Sequence, residues 1–393
     1  MSTKKSRLLE QSEGIHFETT RVRLLRQRAE TLARCREAQS RSSRPLIFAL
    51  DTALKLMCID VPREVQERLR SHPPARSAKA GKARAQQKAQ TPRPANSAQQ
   101  TPQAQQTPRA TFAADDELVI YADSRTSRRR IQGLRCVQWC HPVETITSDG
   151  ITCVAPLDTW LMLASYVDLG DLVLLGDAMM RRDADVRWHT PDDFTRAVGE
   201  FERRLDEKGL PTPRGFLNCR RTLRLMQPGT DSLPETQVRL LLEGYGLPRP
   251  VVNAEATVKD ERGVMRRFFL DLAFPQWGVA VEYDGRHHEE AWESDQRRFK
   301  LLGDAQWLLV NVTWDDLRDE DRRRAVVRSV AERIARRGGT VTPLEAPMTL
   351  REMTDLRRSR SGKKAKSGRR SGTSGKKGAR SGGGKAGEMT GRS

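Results

Sequence analysis

The sequence predicts an α/β protein: strand and helix patterns alternate in its last folded portion, and a mostly helical α+β region precedes them. Three observations carry this expectation. Between residues 232 and 337, period-two and period-3.6 apolar stretches follow one another at short spacing. Between residues 156 and 225, apolar residues recur at helical spacing, broken by Gly209 and by Pro211-Thr212-Pro213. Residues 71–110 alternate Pro, Gln, Ala, Thr and Lys with almost no large apolar residue, too little to offset chain entropy.

Taken in order, residues 1–70 form an N-terminal helical region. A helix is expected over 20–38, with Leu24, Leu25 and Leu32 near one side. Residues 46–59 read as a mostly buried helix ended by Pro62, and a short helix follows through Leu69. Residues 71–110 are a disordered polar linker or insert. Residues 111–229 form an α+β and helical region suited to regulation or substrate recognition. Strands are expected at 118–121 and 134–139, with 146–147 and 151–154 completing a small sheet. Helices follow from Pro156, over 172–180, over 194–208 and over 216–225. Asp158, Asp168, Asp171 and Asp177 fall here, mostly at helix-start and turn positions, and do not suggest a second metal site.

Residues 230–338 are the last folded domain. Ser232 caps a helix running to Gly244, with Pro234 in its first turn and Glu235 at the capping-box position. A strand is expected over 251–258, then a hairpin turn at 259–263 and strands over 268–274 and 279–284. A helix over 291–303, a strand over 305–312 and a charged helix over 321–337 complete it. Residues 339–393 are a disordered basic tail.

The hydrophobic fraction, 37%, is low for a wholly globular chain, and the polar segments account for much of the deficit. Residues 71–110 carry seven Lys or Arg and no acid; residues 357–393 carry thirteen against the single acid Glu388. Together they hold the entire formal charge of +19. Attraction to nucleic acid would therefore come mainly from these segments, not from a basic groove visible in composition; the alternative is that they are solubilising or degradation-prone. The six cysteines are irregularly spaced, and Cys136, Cys140 and His141 have poor zinc spacing. With no secretory signal and no apolar run of about 20 residues, a reduced cytoplasmic setting is expected, nucleoid association being an option, with no membrane partner.

The chemistry concentrates in one place. Asp271 interrupts the apolar run 270–274, and Glu282 and Asp284 interrupt the run 279–284. Charges in β-prone apolar runs are unfavourable unless compensated, and Mg²⁺ seeks hard carboxylate oxygens. Period two places Glu282 and Asp284 on one strand face, and antiparallel pairing brings Asp271 towards Glu282. Asp271 and Glu282 are the expected metal ligands, for Mg²⁺ or alternatively Mn²⁺. Such a cluster suits phosphodiester hydrolysis. The competing reading is a set of solvent-facing edge-strand acids that discourage aggregation. Glu235 either satisfies helix N–H groups or orients a metal-bound water. Arg286, His287 and His288 follow the acids: Arg286 suits a phosphate and His288 suits proton transfer, while His287 serves equally as a surface residue. Arg298 either pairs with Asp295 at i, i+3 or faces a phosphate.

These residues, in this order, resemble a known family. Ser232-Leu233-Pro234-Glu235, Leu270-Asp271-Leu272-Ala273-Phe274-Pro275 and Val281-Glu282-Tyr283-Asp284-Gly285-Arg286-His287-His288 match the DUF559-domain proteins of actinobacteria, as do Asp295 with Arg298, Trp307 and Val312-Thr313-Trp314. That domain is related to the very-short-patch-repair endonucleases of the PD-(D/E)xK superfamily, and the likeness covers roughly residues 230–325. It implies a restriction-endonuclease-like mixed sheet flanked by helices. Asp271 would be the leading metal aspartate, Glu282 the acid of the second motif, and Glu235 the acid from the preceding helix. Asp284 stands where the superfamily usually carries lysine, and His288 would take part of the water-activating role. Residues 20–230 resemble more weakly the AbiEi antitoxin-like, winged-helix half of such proteins.

The expectation is a Mg²⁺-dependent endonuclease acting on DNA, double-stranded by preference, in repair or defence against foreign DNA. Asp271, Glu282, Asp284, Glu235 and His288 would be catalytic, and Arg286 and Arg298 phosphate-binding. The alternatives are a DNA-binding or antitoxin-like regulator that retains a nuclease fold without cleaving, and a protein-interaction module with a vestigial acidic cluster.

Overall fold

A computed structural model of the chain describes residues 20–71, 117–124, 131–284 and 292–355. Of the segments predicted to be disordered, 72–110 and 356–393 lie outside these residues, but 339–355 do not: the N–H groups of Leu344 and Met348 donate to the Tyr245 and Gly244 carbonyls at 2.8 Å and a helix follows, so the folded part continues past the predicted limit at 338. The described elements form a mixed α/β architecture of helices and two open β-sheets. Both sheets belong to one compact unit that ends at Met353.

Helix α1 (Thr20–Ser40) leads into strand β1 (Ile47–Phe48), helix α2 (Leu50–Leu56) and helix α3 (Arg63–Ser71). The single buried helix expected over 46–59 is therefore a strand followed by a shorter helix. The apolar run is enclosed on every side, so it carries no period that separates strand from helix. Leu50, in the left-handed region at φ 51°, makes the change of direction between them. Strands β2 (Leu118–Ala122), β3 (Leu134–Gln138), β4 (Thr145–Ser148) and β5 (Ile151–Val154) complete a sheet of order β3-β2-β1-β5-β4. The two-residue β1 is its centre, antiparallel to β2 and parallel to β5.

Four helices follow: α4 (Pro156–Leu163), α5 (Leu169–Met179), α6 (Pro191–Glu207) and α7 (Phe216–Thr222). Asp168 caps α5 by accepting from Asp171 N–H at 3.0 Å. Thr190 and Asp193 form a reciprocal capping box on α6, with Pro191 in its first turn. Phe48, Leu54, Trp160, Leu172, Phe194 and Phe216 belong to one continuous core under this sheet.

The second sheet is preceded by α8 (Leu233–Gly244) and built from β6 (Val251–Lys259), β7 (Met265–Phe274), β8 (Val279–Asp284) and β9 (Leu308–Thr313). A 3₁₀ turn (Pro275–Trp277) joins β7 to β8, and α9 (Trp292–Asp304) lies between β8 and β9. Helices α10 (Trp314–Arg318), α11 (Glu320–Arg336) and α12 (Leu350–Met353) end the described chain. Strand order is β6-β7-β8-β9, antiparallel twice and then parallel. Strand β9 begins three residues later than the predicted 305 because Gln306, at φ 65°, still belongs to the turn after α9.

Alternation along β7 and β8 builds two cores. Leu272, Phe274, Val279 and Val281 pack with Val238 and Leu242 of α8 and with Val327 and Val330 of α11. Ala254, Ala256, Ala273 and Ala280 pack with Leu301 and Leu302 of α9. Small side chains on that face leave room for α9 to lie close. A buried polar bridge ties α5 to α8. Arg239 donates to Asp177 at 2.7 Å and to Glu243 at 2.9 Å, and Thr236 Oγ1 donates to Asp177 at 3.0 Å. Asp177 is thus neither a cap nor a turn residue but the fully buried counter-ion of another helix. Among the described residues no helix is long and apolar enough to cross a membrane.

Candidate active site

Asp271 stands where the sheet forks. On the β6 side, Val252 pairs with Leu272 and Ala254 with Leu270, but Asn253, between them, takes a left-handed φ of 47° and leaves the ladder. Asn is among the few residues that adopt this conformation readily. On the β8 side, pairing stops at Leu272 and Val281. Beyond it the Asp271 carboxylate replaces a backbone carbonyl and accepts the Tyr283 N–H at 2.8 Å. Asp271 is half-buried.

Glu282 follows Val281 and shares the strand face of Ala280, the side covered by α9. It is buried, and Arg298 of α9 clasps it with two hydrogen bonds of 2.7 and 3.1 Å, one to each carboxylate oxygen. Arg298 also donates to the Phe269 carbonyl at 2.8 Å. Glu235 comes from the first turn of α8. Ser232 Oγ accepts its N–H, as expected of the cap. Its carboxylate does not close a capping box onto Ser232. Instead it accepts from Asp231 N–H at 2.9 Å and Thr230 Oγ1 at 3.2 Å, with Asn253 Nδ2 at 3.4 Å.

Asp271 senses both of the other acids. Burial pushes the Asp271 carboxyl up to about 8, and the negative charges of Glu235 and then Glu282 push the same way; the Tyr283 N–H and Arg298 oppose them. Glu235 is also raised, chiefly by burial, against the stabilising Asp231 N–H and Ser232 hydroxyl. Crowded carboxylates that share a site resist ionising together. Asp271 therefore gives up its proton less readily than an ordinary aspartate, and a cation at the site would favour its release.

The structure thus brings Glu235, Asp271 and Glu282 within electrostatic reach of one another. Asp284 is exposed at the far end of β8, opposite Thr313 of β9, and is not among the acids that shift Asp271. Arg298, expected to contact phosphate or Asp295, is engaged with Glu282 and the Phe269 carbonyl, because the α9 register sets its fork against that carboxylate. Arg286, His287 and His288 lie outside the described residues, as does the side chain of Asp295. Among the described residues no three His, Cys, Asp or Glu side chains are grouped closely enough to hold a metal ion. The donor chemistry of Asp271 and Glu282 still suits a hard divalent cation, since their mutual repulsion is what such an ion relieves. Each Glu282 oxygen, however, already accepts one Arg298 N–H.

Three participants escape sequence reasoning. Asn253 carries a faint signal, a turn-prone residue inside a strand pattern. Phe269 looks like one more alternating apolar residue. Arg182, which donates to Asp231 at 2.9 Å and lies over the Phe269 ring, is 53 residues before Glu235 and 89 before Asp271, and nothing local marks it.

No protein-family model matches the chain, and no solved structure matches it. Two proteins of Mycobacterium tuberculosis, both named only as uncharacterized (MT2308 and Rv2248), are each 30% identical to it over 126 residues. The match takes in 31% of this chain and 43% of each relative, so the chain spans less than half the length of the curated relatives it matches.

Proposed function

We propose that the protein is a divalent-metal-dependent endonuclease that hydrolyses phosphodiester bonds of DNA, and that its second sheet with the flanking helices is a restriction-endonuclease-like domain of the DUF559 type. The observation that carries this reading is that Glu235 and Glu282 both lie within electrostatic reach of Asp271, whose carboxyl is pushed up to about 8 by burial first and by their charges next. Three carboxylates are not assembled at a sheet fork for stability alone, because each must lose solvent beside like charges. The succession helix, three strands, helix, strand, with the last strand parallel to the third, supports the nuclease form of an α/β fold.

In this reading Asp271 and Glu282 would hold Mg²⁺ or Mn²⁺. The ion supplies charge neutralisation at the phosphate and a bound water of lowered pKa. Glu235 is held buried beside Asp271 and keeps the site electronegative. Asp284, exposed at the strand end, would orient water, and the resemblance gives His288 and Arg286 roles towards water and phosphate. The setting is cytoplasmic, in repair or defence against foreign DNA.

One observation favours a second reading. The Arg298 clasp already neutralises Glu282, as suits a protein that binds DNA and no longer cuts it, such as an antitoxin-like regulator. Incubation of supercoiled, linear and mismatched DNA with Mg²⁺ or Mn²⁺ separates the two. The nuclease reading expects metal-dependent nicking that Asp271→Ala and Glu282→Ala each abolish. Tight binding with no cleavage of any substrate overturns it in favour of the regulator.

A further inference from the structure

Two arginines flank the acids, and one of them comes from the upstream half of the chain. Arg182 follows α5, and its backbone N–H donates to the Thr230 carbonyl at 3.3 Å. Its Nε donates to Asp231 Oδ2 at 2.9 Å, and its Nη2 donates to the same oxygen. The guanidinium lies over the Phe269 ring, 4.2 Å from its centre. The contacts are continuous with the site on both sides. The Asp231 N–H holds Glu235, and the Phe269 carbonyl holds Arg298, which clasps Glu282. A path of direct contacts therefore runs from Glu235 through Asp231, Arg182, Phe269 and Arg298 to Glu282, joining the two acids that shift Asp271.

The two arginines differ in what they have left to offer. Arg298 is committed to a carboxylate and a carbonyl. The Arg182 side chain is 41% exposed, and Phe269 is 37% exposed, among the more accessible large apolar residues described. Two of the five guanidinium N–H groups of Arg182 serve Asp231, leaving donors for an incoming anion. Its base is rigid. The neighbouring Arg181 is buried, donates to the Asp231 carbonyl and reaches Asp60 Oδ2 at 3.1 Å. A planar cation stacked on an aromatic ring and steered by a carboxylate is pre-organised for phosphate, and less of its rotamer entropy is lost on binding.

We infer that Arg182, seated on Phe269, is a substrate-binding residue of the acidic site that contacts a backbone phosphate of the DNA, so that the site is composite, built from both halves of the chain. This rests on the nuclease reading for the identity of the ligand. It goes beyond that reading in assigning a DNA contact to a residue far upstream of the acids. The competing explanation is that Arg182 merely fastens the two halves together through Asp231 and Phe269.

The test is fluorescence anisotropy of a labelled DNA duplex with the full chain, in Ca²⁺ or EDTA so that cleavage plays no part, across a salt series. The expected result is that Arg182→Ala weakens binding about 10-fold and lowers the slope of log affinity against log salt by about 1, as loss of one phosphate contact requires. Arg182→Lys, which keeps the charge and spares the fold, is expected to keep the slope while losing roughly threefold in affinity, through loss of the planar stack. Wild-type affinity and slope in both variants, or a loss in Arg182→Ala that tracks a lowered melting temperature while Arg182→Lys binds as wild type, overturns the inference and leaves Arg182 a fastener. Failure of the wild-type chain to bind duplex DNA overturns the nuclease reading along with it, and so is distinguishable from failure of the Arg182 assignment alone.

Discussion

At the scale of single residues, Asp271 concentrates the protein's electrostatic conflict. Its carboxyl is pushed up to about 8 in the folded protein, from an ordinary value near 3.8. Between those values the folded state binds a proton that the unfolded chain releases, so stability falls as pH rises through this window. The contribution is fully present below about pH 4 and lost above about pH 8. Asp271→Asn carries no such proton. In urea titrations from pH 5 to 9 its stability relative to wild type is expected to rise with pH and to level off above about pH 8. Parallel curves for the two proteins would show that Asp271 is not held protonated. Asp271 and Glu282 were legible because a charge inside an apolar β-run is conspicuous. What surrounds them was not. The departure of Asn253 from the ladder and the clasp of Arg298 on Glu282 depend on how β6 and α9 settle against β7 and β8, and neither contact is local in the chain.

At the scale of elements, strand and helix patterns in the second sheet were readable to within about three residues at their ends, β7 beginning at Met265 and β9 at Leu308, since each strand there has one face towards α9 and another towards α8 and α11. The first sheet was harder. Strand β1 has only two residues, sits at the centre of its sheet and is buried with α2 in one apolar run, so alternation has nothing to display. Helix α8 shows the difference between a pattern and its partner. The sequence discloses its cap and its apolar face, yet not that Arg239 on it is almost wholly buried against Asp177 of α5. Removing one member of a buried ion pair leaves the other charged and unsolvated, at a cost of about 3–5 kcal/mol. Asp177→Ala is expected to fall near the lower end, because Glu243 still holds Arg239. It should shift the urea midpoint without changing its slope. A loss below about 1 kcal/mol would place the pair in solvent-like surroundings and contradict the buried bridge.

At the scale of the whole molecule, charge and chemistry are segregated. The excess positive charge lies in residues 71–110 and 357–393, whereas the acids sit in a sheet whose sequence is near neutral. In the proposed function the basic segments would provide long-range attraction to a polyanion, while Arg182 pairs with Asp231 and Arg298 with Glu282. That Arg182 of the upstream half reaches the acids through Asp231 could not be read from the sequence, where Arg182 and Asp271 are separated by more than 80 positions and linked only through the fold. The proposed function requires the crowded acids to receive a divalent cation. Calorimetric titration of Mn²⁺ into the full chain tests it most directly. The expected result is saturable binding by wild type that Asp271→Ala and Glu282→Ala abolish, tightening as pH rises towards 8 because Asp271 must give up its proton. Binding that is absent from wild type, or unchanged in both variants, would contradict it.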